Sequence, residues 1–291
     1  MNETPFLNSE ILVEWSKLTP NRARKEIREA IEEAKATVAN ICAVTEPTYE
    51  NSFAALESSG SALTRGWTRL HHLGSVMDSQ ELRDVISELM PEVVIYSSSV
   101  TLNPQLYAVL KKAAEMPWVA ELSEVKQRFI HETLQDFREN GADLTDEQKI
   151  RFTEISTKLA QLSHSFGEHV LDSTNAWEYV TADKSELAGL PDSACENARH
   201  DALAKGYGTE ENPQWRFTLQ FTSVQPVLTF ADNEQLRRRI WNALNEKCTG
   251  KYDTTDFIHE ILALREEKAT MLGYATYSDY VTARRMAGSG N

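Results

Sequence analysis

From Ala23 onward the apolar positions recur at steps of three and four: Ala23, Ile27, Ala30, Ile31, Ala34, Val38 and Ile41, with Lys, Arg and Glu between them. This spacing lays one apolar stripe along a helix and leaves the charged residues opposite. Pro20 directly after Thr19 is a cap followed by a first turn, and Thr45-Glu46-Pro47-Thr48 ends the pattern. The same reasoning predicts helices over 49–73, 80–97 and 104–115, with Pro117 closing the group. A fifth, marked by Val125, Phe129, Thr133, Leu134 and Phe137, stops near Asn140-Gly141.

Thr145-Asp146-Glu147-Gln148 reads as a capping box, in which the Thr145 and Gln148 side chains satisfy each other's exposed amides. It opens the longest predicted helix, 146–173, about 40 Å at ~1.5 Å per residue. Phe152, Ile155, Leu159, Leu162, Phe166 and Val170 share one of its faces. The period then changes. Trp177, Tyr179 and Thr181 alternate, and so do Trp215, Phe217, Leu219 and Phe221, with polar residues between them. Period two with aromatic enrichment predicts two short paired strands, with a helical insertion over 191–205. Helices follow over 225–230, 233–247 and 256–272; Gly273 sits where a left-handed cap belongs, and Thr276 starts one more. No internal repeat, low-complexity tract or Gly/Ser linker interrupts the chain, and its end at Met286-Ala287-Gly288-Ser289-Gly290-Asn291 reads as a cut.

Composition agrees with a mostly helical fold, because 12 Gly and 9 Pro are few for 291 residues. The balance of 30 Lys and Arg against 44 Asp and Glu gives a formal charge of -14, a field that repels nucleic acid. The basic clusters Arg237-Arg238-Arg239 and Arg284-Arg285 lie in helical patterns with acidic neighbours and read as solvated faces. Cys42, Cys195 and Cys248 form no CxxC pair, which fits a reducing cytoplasm. The start, Met1-Asn2-Glu3-Thr4-Pro5, has no leader pattern, and no apolar run approaches the ~20 residues that cross a bilayer. The expectation is a cytoplasmic protein with neither nucleic-acid nor membrane partners.

A helical zinc-peptidase site needs two His one turn apart with Glu beside the first. The chain offers His131-Glu132 and His259-Glu260, but Gln135 and Ala263 stand where the second His belongs. Each pair reads more simply as a helix surface. His164, Glu168 and Asp172 are spaced four apart on one face of the long helix, with His169 about 140° round from His164 at ~100° per residue. Surface hydrogen bonding is the simpler reading of that trio. The side chains of His71 and His72 diverge on a helix and do not readily share one ion. Trp177, Trp215, Phe217 and Trp241 fall at positions expected of a core. No GxSxG, Walker-type loop or dinucleotide fingerprint is present.

The segment Leu162-Ser163-His164-Ser165-Phe166-Gly167-Glu168-His169-Val170-Leu171-Asp172-Ser173-Thr174 with Trp177 resembles the oligopeptidase A and thimet oligopeptidase family. Further matches run in the same order: His72-Leu73-Gly74-Ser75-Val76, Asp136-Phe137-Arg138-Glu139-Asn140-Gly141, and Leu187-Ala188-Gly189-Leu190-Pro191-Asp192-Ser193. Pro226-Val227-Leu228, Asp232-Asn233, Leu236-Arg237, Ile261-Leu262-Ala263-Leu264-Arg265, Leu272-Gly273-Tyr274 and Tyr277-Ser278-Asp279-Tyr280 continue it. The resemblance implies a zinc metallo-oligopeptidase that cleaves short peptides in a deep channel between two mostly helical domains. Zinc would be held by HExxH and a distal Glu in the second domain, so the resemblance assigns no catalytic residue and no metal ligand to this chain and names no substrate-binding residue.

The implied organisation is an N-terminal helical domain over 1–175, short β strands with a helical insertion over 176–222, and helices over 223–291 leading into an absent catalytic domain. The chain is then expected to form one wall of the channel, to limit substrate size and to be inactive alone. Its partners would be the zinc-bearing catalytic domain or a complementary chain, and short peptides. A surface normally facing that domain would be exposed and prone to association. A second reading from a different class is a stand-alone helical module that binds peptides or a protein without hydrolysing them.

Overall fold

The Thr19 hydroxyl accepts from the Arg22 amide at 3.4 Å and launches α1 (Pro20–Cys42). The structure, a computed structural model, describes residues 4–290. The readings that rest on Met1, Asn2, Glu3 and Asn291, at the start and the end of the chain, fall outside the described residues. All seven apolar positions of the α1 stripe are buried.

The chain then continues through a π turn (Glu50–Ala54), α2 (Ala55–Ser59), α3 (Ser61–Val76), α4 (Gln80–Thr101), α5 (Pro104–Ala114) and α6 (Glu124–Glu139). The single helix expected over 49–73 is therefore broken. The reason is local: Ser58 and Ser59 hydroxyls donate back to the carbonyls of Ala55 (3.0 Å) and Leu56 (2.6 Å), and Gly60 follows them. Next come α7 (Asp146–Ala176), β1 (Glu178–Thr181), α8 (Asp192–Ala204), β2 (Trp215–Thr218), α9 (Phe221–Phe230), α10 (Glu234–Asn245), α11 (Thr255–Met271) and α12 (Tyr277–Thr282). The capping box forms in both directions, Thr145 N to Gln148 Oε1 at 3.0 Å and Gln148 N to Thr145 Oγ1 at 3.3 Å. The chain is mostly α with a two-stranded antiparallel sheet, as its pattern predicts.

Two compact units result. The first comprises the residues up to Leu162 and those from Ile261 onward; the second is Ser163–Glu260. In the first unit the α1 stripe serves two clusters. Ala23, Ile27, Ala30, Ile31 and Ala34 pack with α3 and α4, while Val38 and Ile41 pack with Phe53, α5 and α6. Gly66 of α3 allows the close approach to α1, since a Cβ there would stand 2.8 Å from Ile27 Cδ1. Arg24 and Arg28 of α1 grip Glu88 of α4 at 2.8 and 2.7 Å on the solvent side of that contact.

In the second unit β1 and β2 pair with Glu178 opposite Thr218 and Thr181 opposite Trp215. Trp215, Phe217 and Leu219 are buried with Leu187, Val227 and Ile240. Two aromatic positions differ from expectation. Phe221 is 77% exposed because the strand ends at Thr218, whose amide donates to Ser223 Oγ at 3.0 Å, and α9 begins at Phe221. Trp241 is 57% exposed, since α10 buries only Leu236 and Ile240.

Candidate functional site

A groove of about 760 Å³ lies on the first unit. The helix break at Gly60 opens it, and α3, α4 and α6 supply its floor through Leu63, Trp67, Val93, Tyr96, Phe129 and Phe137. Hydroxyls line its rim, and several have spent their proton on their own helix: Ser59 to Leu56 O (2.6 Å), Ser97 to Val93 O (2.9 Å) and Thr133 to Phe129 O (2.7 Å). What such a hydroxyl still presents is acceptor lone pairs. Burial pushes the Tyr96 phenol up, with the Ser59 hydroxyl acting in the opposite sense. An aromatic floor under an acceptor rim suits an N–H-bearing, partly apolar ligand.

A second cavity of about 460 Å³ in the same unit lies between the α6 C-terminus and residues 271–274. One of about 360 Å³ in the second unit is lined by Asp201, Arg216 and the start of α9.

The residues singled out from sequence are dispersed. His131 is exposed, and Glu132 beside it is taken by Arg284. His259 and Glu260 are exposed on α11. His164 Nε2 lies 3.6 Å from Glu168 Oε1, beyond hydrogen-bond range, and is enclosed without a hydrogen-bond partner, as is His169 Nδ1. The His169 ring packs instead against Phe257, with centroids 5.1 Å apart. His71 meets the edge of Trp67 and His72 meets Trp15, at 4.6 and 5.2 Å, so the two imidazoles diverge. Among the described residues no three His, Cys, Asp or Glu side chains gather as a metal-binding group. Cys42, Cys195 and Cys248 are all free thiols.

Arg238, Arg239, Arg284 and Arg285 are exposed, as read from the sequence, and three arginines of the two runs also make specific contacts. Arg237 donates to Ala231 O and, at 3.1 Å, to Asp232 O, satisfying carbonyls at the end of α9. The Arg239 guanidinium lies 4.1 Å from the centre of the Tyr179 ring. Arg284 is gripped by Glu132, Asp136 and Glu139 of α6. The spacing of those three acids on one helical face was visible in the sequence, but their partner more than a hundred residues away was not.

The chain is similar in sequence to known peptidases. The family model described as Neurolysin/Thimet oligopeptidase, N-terminal domain, matches residues 27–149, and that described as Peptidase family M3 matches residues 227–291. Oligopeptidase A of Haemophilus influenzae is 33% identical over 97% of this chain and 42% of its own length. Organellar oligopeptidase A of Arabidopsis thaliana is 33% identical over 99% of the chain and 37% of its own length. Oligopeptidase A of Escherichia coli is 31% identical, with 97% and 42% covered. The chain thus spans about two fifths of the length of these curated relatives. Among the described residues no helix is long and apolar enough to cross a membrane.

Proposed function

From the premise that this chain is an N-terminal region of the oligopeptidase A and thimet oligopeptidase family, we propose that it is the non-catalytic part of a zinc-dependent oligopeptidase, one wall of a channel that admits short peptides and excludes folded ones. The observation that carries the reading is the pairing of near-complete coverage of this chain with only 37–42% coverage of those relatives. Zinc that activates water needs three protein ligands, an open position and a base. The described residues do not fit it: His131-Glu132 and His259-Glu260 each lack a second His, and no other group of His, Cys, Asp and Glu among them is arranged to hold a metal. The zinc ligands then belong to a catalytic partner domain, in the cytoplasm, and this chain supplies shape and water exclusion. Exposed Ile11 and Leu12 on the first unit, and Phe221 and Trp241 on the second, are the kind of surface such a partner would cover.

The test is hydrolysis of a short quenched peptide. The pure chain is expected to be inactive with or without added zinc, and to support cleavage when mixed with an HExxH-bearing catalytic segment of the family. Chelator-sensitive cleavage by the chain alone would overturn the reading.

The acceptor-rimmed groove favours a second reading, a helical module that binds peptides without cutting them. Saturable peptide binding, together with failure to restore cleavage on mixing, would establish that instead.

A further inference from the structure

Residues 276–290 form a strap with no buried side chain, and every residue from Ala283 to Gly290 is exposed. Its near end rests on aromatic contacts: Tyr280 meets Tyr274 at 5.4 Å and Tyr277 at 5.8 Å, with the Lys268 ammonium 5.9 Å from the Tyr280 ring. Its far end turns back on itself. Gly290 N donates to Asp279 Oδ1 at 2.9 Å, and the Asp279 carboxylate also accepts from Thr276 Oγ1 at 2.7 Å. Beyond Thr282 the described charged contact to another element is Arg284, whose guanidinium reaches Glu132 and Asp136 and lies 3.1 Å from Glu139.

We propose that Arg284 and the acidic stripe Glu132, Asp136 and Glu139 of α6 form an ionic latch that fastens this strap to α6 and releases it when the charges are screened or removed. The stripe is built for the purpose. Its carboxylates stand at successive turns of one face, where they would repel one another without a cation, and a planar guanidinium can reach several of them at once. Arg128 lies 3.8 Å from Glu132 on the same helix, so the local balance is three acids against two guanidinium groups. Because Arg284, Glu132 and Asp136 keep 31%, 38% and 60% of their side chains exposed, salt competes with those pairs directly. The latch also joins the two matched stretches, since α6 lies within 27–149 and Arg284 within 227–291. It does not depend on the peptidase reading.

The readout is hydrogen–deuterium exchange of this chain followed by mass spectrometry, on peptides covering 279–290. Beyond Thr282 the amides of Ala283, Arg285, Gly288 and Gly290 report, all hydrogen-bonded in the latched strap. At low salt they are expected to be protected in the wild type. In R284Q and in the triple variant E132Q/D136N/E139Q they should exchange about fivefold faster, with no further gain when the two are combined. About 0.5 M NaCl should have the same effect on the wild type and little on the variants. R285Q, which removes the neighbouring exposed guanidinium, should behave as wild type, and exchange in α1 should be unchanged throughout. Unaltered protection in R284Q, equal loosening in R285Q, insensitivity to salt, or an unprotected wild-type strap would each overturn the latch.

Discussion

Arg69 donates through Nη1 to the carbonyl oxygen of Phe6, 3.1 Å away, from inside the first unit. The same nitrogen reaches Pro5 O at 2.8 Å, and Phe6 N donates on the other side to Glu26 Oε2 at 2.8 Å. A segment without regular structure is thereby held by a buried cation on α3 and a buried carboxylate on α1, with the Phe6 ring fully enclosed between them. The partners of Arg69 are mostly main-chain oxygens, so burial, together with the nearby Arg65 charge, holds its guanidinium below its ordinary range.

Replacing Arg69 by Met is expected to cost about 2–4 kcal/mol, because it strands two carbonyl oxygens and removes charge-assisted bonds. Arg69→Lys should recover less than half of this, since a single ammonium cannot match a fork whose Nη1 serves Pro5, Phe6 and Asn8 while Nη2 reaches Glu10 O at 3.4 Å. Urea unfolding midpoints at neutral pH separate the three proteins. A Met variant within about 0.5 kcal/mol of wild type would mean that the segment is not held by this residue.

Glu26 gives a pH dependence of definite sign. Burial raises its carboxyl above the ordinary 4.5, against the Phe6 amide and Arg22, which pull the other way. The folded state therefore keeps a proton that the unfolded chain has already lost. The stability this adds is fully present below 4.5 and is lost as pH rises through the folded value. Glu26→Gln mimics the protonated form, so its melting temperature should gain on wild type between about pH 4.5 and 7 and match it at lower pH. A difference that does not change with pH would show that Glu26 is not desolvated.

Gly189 occupies a backbone conformation, φ 83°, that L side chains rarely adopt. A Cβ there would press on the Phe230 carbonyl and, at 2.9 Å, on Asp232 N, the amide that donates to Ala188 O at 2.8 Å. Gly189→Ala should cost about 2–3 kcal/mol, strain and contact acting together. Loss of the Ala188–Asp232 bond would appear as faster exchange of the Asp232 amide. An Ala variant as stable as wild type would show that the turn relaxes freely.

Much of this architecture was legible in the chain. The α1 stripe, the Thr145–Gln148 box and the Gly273 cap are local signals, and local signals survive folding. What escaped depended on partners distant in sequence. The grip of Glu132, Asp136 and Glu139 on the exposed Arg284 needed the fold to bring α6 to it, and Trp241 looked like core because its spacing fitted a helix face that α10 does not bury. The break at Gly60 was a local competition, serine hydroxyls against helical amides, that apolar periodicity does not register. The candidate groove was not legible, because its floor draws on three helices whose contact is tertiary.

Arg216 tests how charge is carried in the second unit. It is 8% exposed and bridges Glu178 at 2.6 Å and Asp201 at 2.5 Å. Those carboxylates are 35% and 47% exposed, so water serves them well if the cation is removed. The guanidinium has no such recourse. The Tyr207 hydroxyl, and then Arg216, hold the Glu178 carboxyl below its ordinary value, so its contribution is present at neutral pH and is lost as pH falls through that lowered value. The expected order follows from this asymmetry. Arg216→Met, which keeps the apolar stem and leaves two solvated acids, should cost about 1–2 kcal/mol. The double variant E178Q/D201N leaves a buried cation without a counter-charge and should cost about 3–5 kcal/mol. Denaturant titration of both, with the Arg216→Met/E178Q/D201N combination recovering part of the loss, is the measurement. If Arg216→Met proves the more damaging change, stability lies in the Coulombic pairs themselves and not in the avoidance of a stranded charge.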